Sequence, residues 1–250
     1  GLSKRSAAFF TLAAWIKIWP IALFAPLLFD KPRRWKILAI GTGISLALIA
    51  FGFLLGGNQS IFSFATGQIQ RGLQIESPAA MPWLWSAVFG DADSGINYNQ
   101  QLLTFEAFGS GVDLVASLLG LVQLGAILIT FTLGWLAANK SRSADVIAWT
   151  SLTGVCDLIF FNKVGSPQFI SWLAVPIILG VLLGAERWCL VSAMVLALSL
   201  CTWLVYPIFY DDILASGFVG TAVLTLRNLL ELGLLVYANF RLTSLATRRA

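Results

Sequence analysis

Seven apolar runs divide this chain, and they constrain its fold more than any other feature. They comprise residues 6–29, 37–56, 112–138, 146–161, 169–184, 188–209 and 216–240. About 20 mostly apolar residues in a helix cross the hydrocarbon core of a bilayer. Inside lipid, only helices and closed barrels satisfy every backbone polar group. The sequence therefore predicts an all-α protein, a polytopic transmembrane bundle of about seven spans. The runs 146–161 and 169–184 are short, which predicts helices that end at a recessed, protein-lined cavity.

The composition supports a membrane protein and excludes several other classes. Of the 250 residues, 58% are hydrophobic and 11% are charged, whereas soluble domains carry about 25% charged residues. The net charge of +4 is spread over short loops, so it predicts no nucleic-acid partner. Three cysteines inside apolar runs and the complete lack of histidine offer neither a disulfide framework nor a zinc-binding spacing.

Charged loops predict the orientation of the spans. Basic loops of membrane proteins face the cytoplasm, and here they are residues 31–36, 140–142 and the tail 241–249. The alternate loops, 57–111, 162–168 and 210–215, should then face outward. Lys4 and Arg5 fit this pattern only if the first run folds back as a broken hairpin at 17–20. A single crossing would place both on the outside, and the sequence leaves both arrangements open.

The outer loop 57–111 is expected to lie on the membrane within a single transmembrane domain, 1–250. Residues 60–71 place apolar side chains on one helical face, which predicts a short amphipathic helix. The chain begins at Gly1 with neither an initiator Met nor a signal-peptide pattern. We therefore expect it to be the carboxy-terminal part of a longer protein.

A polar segment, residues 162–168, separates two apolar runs and is the first candidate site. Lys163 is a compact cation suited to a phosphate, and Asn162, Ser166 and Gln168 could add hydrogen bonds. Pro167 suits the first turn of the following helix, whose N-terminus would also favour an anion. The alternative is an ordinary lysine that snorkels from a helix end. The residues alone do not decide between them.

Residues 71–77 form the second candidate site, in the outer loop. Arg71 could pair with Glu76 as a structural tether, which the residues by themselves favour. Alternatively, Arg71 could bind a phosphate, while Gln74 and Glu76 contact hydroxyl groups of a sugar or an acceptor.

Three further charges interrupt the apolar runs. Lys17 precedes Trp19 and Pro20, and we expect it to be buried and to need a carboxylate, a phosphate or a water-filled cavity. Asp157 and Glu231 are its candidate structural partners. Arg227 and Glu231 lie one helical turn apart, which favours an ion pair that supports packing over a lipid-phosphate site.

The sequence Asp91-Ala92-Asp93 superficially matches the Asp-x-Asp motif with which many sugar transferases hold a metal. Its flanking residues, Gly90, Ser94 and Gly95, are typical of a turn. No metal site is therefore assigned.

Three stretches of the chain resemble one family. The first reads Phe161-Asn162-Lys163-Val164, then Ser166-Pro167-Gln168-Phe169-Ile170-Ser171-Trp172-Leu173. It resembles the Asn-Lys-Val-x-Ser/Thr-(Pro)-Gln-Tyr/Phe-x-x-Trp segment of GT-C glycosyltransferases, in particular bacterial polyprenyl-phosphate-mannose-dependent mannosyltransferases and the first mannosyltransferase of GPI-anchor synthesis. The second stretch, Lys17-Ile18-Trp19-Pro20 followed by Arg33-Arg34-Trp35, resembles the bacterial family's Lys-x-x-Pro…Arg-Arg-Trp segment. The third stretch, Arg71-Gly72-Leu73-Gln74-Ile75-Glu76-Ser77, resembles the outer-loop signature of that family. The resemblance covers nearly the whole chain.

This resemblance implies an inverting hexosyltransferase in the bacterial plasma membrane, with its site facing outward. Such an enzyme transfers a sugar, here most simply mannose, from a polyprenyl-phosphate donor to a lipid or glycan acceptor, without a cofactor. Lys163, and then Arg71, would stabilise the departing phosphate. The remaining pocket residues would be Asn162, Ser166, Gln168, Gln74 and Glu76. The family's general base lies in its first outer loop, upstream of this chain, so no residue here is assigned that role.

A multi-span transporter or lipid flippase is the competing hypothesis. Lys17, Arg227 and Glu231 would then line a path through the bundle. Transporters often contain inverted repeats, and the sequence has no internal symmetry of that kind. The concentration of polar residues at the outer face favours the transferase.

Overall fold

The computed structural model of the chain describes residues 2–57, 61 and 71–248, of which the first two lack a described side chain. The protein is mostly helical, at 74%. The helices are α1 (Leu2–Ile16), α2 (Ile21–Phe24), α3 (Arg34–Leu54), α4 (Met81–Val88), α5 (Val112–Ala137), α6 (Ser143–Phe160), α7 (Ala174–Leu182), α8 (Trp188–Trp203), α9 (Tyr210–Leu214) and α10 (Phe218–Thr247). A short antiparallel hairpin joins β1 (Gly95–Asn99) to β2 (Thr104–Phe108).

Five helices of the described residues are long and apolar enough to cross a membrane, which confirms a multi-span helical protein but not the expected count of about seven. They are Arg34–Leu54, Val112–Ala137, Ser143–Phe160, Trp188–Leu214 and Phe218–Thr247. The runs 6–29 and 169–184 are broken instead. Proline lacks the backbone N–H that a continuous helix needs, and the first run is interrupted before Pro20. The second begins as a 3-10 helix, Pro167–Leu173, and continues only as the nine-residue α7.

The first apolar run folds back on itself. The Trp15 indole N–H donates to Ser45 Oγ at 2.9 Å, and Thr11 lies beside Gly41. Thr11 meets Gly41 and, one turn later in both helices, Trp15 meets Ser45, so α1 and α3 run parallel. The connecting segment 17–33 must therefore return to the start of α3, and Lys4 and Arg5 lie at the same end of the bundle as Arg33. This is the hairpin arrangement, which the sequence had left open, and it removes the conflict in the charge pattern.

The basic loops gather at that end of the bundle. Lys140 Nζ donates to the Ala246 carbonyl at 3.0 Å, and an Arg142 nitrogen donates to the Leu183 carbonyl at 2.7 Å. The Arg34 guanidinium lies 5.6 Å from the Trp135 ring, near the end of α5. We call this the basic end. The predicted alternation of loops between two ends is therefore present in the structure.

Helix α6 forms the centre of the bundle. Within this 18-residue helix, 78% of the residues are buried, far more than in the apolar stretches of the other long helices. Trp149 on α6 packs edge-on against Trp188 and Tyr237, at 4.8 and 5.7 Å between ring centroids. Since α6 ends at Phe160, this rigid central helix carries the polar segment 162–168 at its end.

The described part of the outer loop, residues 71–111, is a folded cap that contains a short β-hairpin, which the all-α prediction did not include. Residues 71–111 contain α4 and the hairpin, and Ile75 and Ala107 bond their backbone N–H groups to Phe105 and Leu73. The cap shares one buried core with the bundle, made of Leu73, Ile75, Leu84 and Ala107 together with Val205, Ile213 and Leu224. It is therefore part of the same domain. The predicted amphipathic helix 60–71 falls almost entirely outside the described residues.

Candidate functional site

The cap brings the two predicted polar segments into direct contact. The Gln74 N–H donates to the Lys163 carbonyl at 2.9 Å. The Ser77 hydroxyl donates to the Asn162 carbonyl at 2.8 Å. Segments 71–77 and 162–168, separated by more than 80 residues in sequence, thus form one site between the cap and the end of α6.

Gly165 allows this contact to be close. A Cβ atom at this position would overlap the carbonyl group of Glu76 and would lie 2.5 Å from the Ser77 nitrogen. In proteins, a Cβ atom essentially never lies within 3.0 Å of a heavy atom outside its own residue and the two chain neighbours. The two backbones therefore lie directly against each other, with no side chain between them.

Asn162 and Ser166 shape the backbone of the second segment. Asn162 Oδ1 accepts from the Val164 N–H at 2.9 Å, and its amide donates to the Leu158 carbonyl at 3.3 Å. This turn follows the end of α6 and contains Lys163, which is half-buried. Ser166 precedes the 3-10 helix Pro167–Leu173, with proline at its first position as the sequence predicted.

Lys163, Arg71 and Glu106 form the charged part of the site. Partial burial lowers the pKa of Lys163 below its usual value, the neighbouring Glu106 carboxylate opposes that shift, and Arg71 adds to it. Glu106 accepts hydrogen bonds from the Gly72 N–H and the Asn99 amide, both at 3.1 Å. Lys163 therefore lies within electrostatic range of the Glu106 carboxylate and of Arg71, the cation of the other segment.

Sequence reasoning missed Glu106 altogether. It lies on β2, directly opposite Asn97 and near Asn99. Without the hairpin there is no reason to connect Glu106 with residues 71–72, so only the recognition of a β-turn at 99–104 could have pointed to it. The Asn99 side chain marks that turn, because it accepts from the Gln101 and Leu102 N–H groups at 3.1 and 3.2 Å.

Glu76 does not form the expected tether with Arg71. Its Oε1 accepts hydrogen bonds from the hydroxyl groups of Tyr206 and Tyr210, and no ion pair of the described residues joins it to Arg71. Tyr206 lies in the irregular segment Leu204–Phe209, which interrupts the helix around Pro207, and Tyr210 is the first residue of α9. Glu76 is turned into the junction of cap and bundle because two hydroxyl donors are available there.

The predicted pocket residues differ in their exposure. Gln74 and Glu76 are buried, at 6% and 7% exposed, so their backbones and side chains help to join the cap to the bundle. Asn162 and Ser166 are half-buried, and Gln168 is exposed. The open face of the site is therefore formed by the second segment more than by the first.

The expectation that Lys17 is a buried support was wrong. Lys17 is exposed, and its Nζ donates to Gln168 Oε1 at 3.1 Å. The break between α1 and α2 turns it outward, away from the bundle interior. The two expected partners bind other residues: Asp157 accepts from the Thr130 hydroxyl at 2.6 Å, and Glu231 pairs with Arg227.

Arg227 and Glu231 form a buried ion pair, at 2.8 Å, on α10. Arg227 also donates to the Glu76 carbonyl at 3.0 Å and to Asn228 Oδ1 at 3.2 Å. Because Arg227 is fully buried, its guanidinium acts inside the protein as an anchor for the backbone of the first segment.

Asp91 makes the turn that its neighbours predict. Its carboxylate accepts from the Asp93 N–H at 3.1 Å and from the Ser94 hydroxyl at 2.7 Å. The bond from Ser94, and then that from Asp93, lowers the pKa of Asp91. Within residues 2–57, 61 and 71–248, no three His, Cys, Asp or Glu side chains lie together as metal ligands.

Comparisons with known proteins do not assign a family. No family model, curated protein or solved structure matches the chain significantly. The functional argument therefore depends on the residues of the site and on the resemblance of its three motifs.

Proposed function

We propose that the chain is part of a membrane glycosyltransferase that uses a polyprenyl-phosphate sugar. The enzyme transfers a hexose, most simply mannose, to a lipid or glycan acceptor at the capped end of the bundle. The capped end lies on the outer side of the bacterial plasma membrane. The proposal rests on the GT-C resemblance of the two polar segments and on one structural observation: the segments that carry Arg71 and Lys163 are joined directly, by the bond from the Gln74 N–H to the Lys163 carbonyl at 2.9 Å.

Two cations in one partly desolvated site suit a phosphate leaving group. As the bond between the sugar and the phosphate breaks, negative charge accumulates on the phosphate oxygens. Lys163 and Arg71 stabilise that charge, and each cation is worth more where water is scarce. Asn162, Ser166 and Gln168 bind the sugar or its acceptor from the second segment. The general base is not assigned to a residue of this chain.

Lys163→Ala in the full-length protein tests the proposal. With the cation removed, sugar transfer from a polyprenyl-phosphate donor should fall by about 100-fold or more, as for the loss of one group that stabilises developing charge. The measurement is transfer of radiolabelled sugar in isolated membranes. Lys36→Ala is the matched control, since Lys36 is an exposed lysine at the basic end.

Insertion and folding of each variant are checked by its amount in the membrane and by its thermal unfolding in detergent. Unchanged transfer in a well-folded Lys163→Ala variant would remove Lys163 from the mechanism. Solute uptake by proteoliposomes that contain the full-length protein, without sugar transfer, would replace the transferase with a transporter.

A further inference from the structure

A stripe of exposed apolar side chains runs along α10 and indicates how deep this helix lies in a bilayer. Helix α10 is one of the five helices long and apolar enough to cross a membrane. Exposed members of the stripe share one side of the helix, and they are Val219, Leu226, Leu229, Val236 and Phe240. From first to last they extend about 32 Å at 1.5 Å per residue, which matches the hydrocarbon core of about 30 Å. One boundary of the core therefore lies at the first turn of α10, at the capped end of the bundle.

Aromatic side chains of the cap and of α10 meet at this boundary. Phe218, the first residue of α10, packs edge-on against Trp85 of α4 at 5.3 Å between ring centroids. Phe89 stacks on Trp85 at 5.6 Å. The Trp85 indole N–H donates to Thr225 Oγ1 at 2.9 Å, about two helical turns from Phe218 toward the membrane centre. The Trp85 ring is therefore held at the level where the hydrocarbon core begins, a level at which membrane proteins are enriched in Trp.

One face of α4 is apolar and exposed. The helix contains no charged residue, and Leu84 turns inward to the buried core that the cap shares with the bundle. Pro82 and Phe89 are exposed, Phe89 at 77%. Helical spacing puts both of them on the side away from Leu84. Because Trp85 contacts both Phe89 and Phe218, this face continues the apolar stripe of α10 onto the cap.

We propose that α4 lies in the interface of the leaflet at the capped end, where Pro82, Trp85 and Phe89 contact the acyl chains of bilayer lipids. The contact depends on apolar area and not on head-group charge, since α4 carries no charge. Asp91 and Asp93, exposed in the turn after Phe89, keep insertion shallow, because a carboxylate is costly inside the hydrocarbon core. One helix makes this contact, which is narrower than the contact expected for the outer loop as a whole. It does not require sugar transfer, so it is independent of the proposed activity.

Spin labels on single cysteines test this contact in the full-length protein, reconstituted into phosphatidylcholine vesicles. In a background without the three cysteines of the chain, a label at Phe89→Cys is compared with labels at Leu229→Cys and Gln101→Cys. Leu229 lies near the middle of the α10 stripe and is the lipid reference, whereas Gln101 is exposed in the hairpin turn and is the water reference. Collision rates with oxygen, which dissolves in lipid, and with a water-soluble nickel chelate give the depth of each label. The Phe89→Cys label should lie about 5–10 Å into the boundary between head groups and acyl chains, as interfacial helices do.

Pro82→Cys provides a second label on the same face, in case the change at position 89 itself weakens the contact. This label should also collide more with oxygen than with the chelate, and less with the chelate than the Gln101→Cys label does. Chelate access at both positions equal to that at Gln101→Cys would place the face in water and overturn the inference. Access to neither reagent would mean that protein covers the face, and this result would overturn it as well. Neither result depends on the outcome of the Lys163 experiment.

Discussion

At the scale of single residues, Gly165 sets the distance between the two polar segments. The segments are joined by backbone groups, from Gln74 to Lys163 and from Ser77 to Asn162. Any larger residue at position 165 would require the cap backbone at Glu76 to move. Well-packed interiors do not deform freely. The absence of a side chain at position 165 therefore fixes how close the backbone next to Lys163 lies to the cap.

Gly165→Ala should destabilise the protein by about 1–3 kcal/mol, the usual cost of overpacking, because the added methyl group meets backbone rather than a movable side chain. The free energy of unfolding in detergent is the measurement. Gly125→Ala is the matched control, since a Cβ there meets nothing within 4 Å. Within a helix this control should be neutral or stabilising by up to about 1 kcal/mol. Equal stability of both variants would contradict the close approach at Gly165.

At the scale of secondary-structure elements, α10 connects the bundle to the cap. Its Arg227 reaches the Glu76 carbonyl, while Glu231 on the same helix neutralises the guanidinium. The irregular segment Leu204–Phe209 and the start of α9 contribute the tyrosines that bind the Glu76 side chain. Backbone and side chain of one cap residue are thus held by two different parts of the bundle.

Arg227→Met should destabilise the protein by about 3–5 kcal/mol, because it leaves Glu231 buried without its counter-charge and the Glu76 carbonyl without this donor. The double variant Arg227→Met with Glu231→Leu should recover part of that loss, since paired apolar residues often replace a buried ion pair at little cost. Unfolding free energies of the two single variants and the double variant give the coupling energy. Additive losses would show that the pair does not act as a unit.

Helix α1 and the segment after it form the second informative element. Lys17, Trp19 and Pro20 interrupt an apolar run that is long enough to cross the membrane. The parallel contact of α1 with α3 shows that the chain returns instead. This return brings Lys17 to Gln168, which no periodicity in either stretch predicts.

At the scale of the whole molecule, the two ends of the bundle differ in chemistry. The basic end carries loops whose cations bond to helix-terminal carbonyls and to Glu186. The capped end carries the hairpin, the two polar segments and the tyrosines. From this polarity we predict one orientation in the membrane, with the basic end toward the cytoplasm.

Labelling of single cysteines with a membrane-impermeant maleimide checks this topology. In a background without Cys156, Cys189 and Cys201, Gln101→Cys on the cap should react in intact cells. Arg5→Cys and Arg33→Cys should react only after the membrane is permeabilised, because the hairpin places both at the basic end. All three positions are exposed, so accessibility to water is not limiting. Reaction of Arg5→Cys together with Gln101→Cys would restore the single-crossing arrangement.

Much of the fold could be predicted from the sequence because it follows from local composition. The long apolar runs, the basic loops between them, the breaking effect of Pro20 and Pro167, and the turn at Asp91 each depend on residues close in the chain. Two of the seven predicted spans, the run broken before Pro20 and the run that begins as a 3-10 helix at Pro167, are not among the five described helices long enough to cross a membrane. The hairpin was missed because short strands with mixed polar residues carry a weak local signal.

The sequence by itself indicated a helical membrane protein and predicted its orientation, since hydrophobic length and charge are properties of contiguous residues. Tertiary structure alone decided the partners of its polar groups. It assigned Glu76 to two tyrosines rather than to Arg71, Lys17 to Gln168 rather than to a carboxylate, and Glu106 to the surroundings of Lys163. Such partners lie far apart in sequence, and each polar group takes the donor or acceptor that packing brings nearest. That choice depends on how the helices and the cap assemble, which no local pattern encodes.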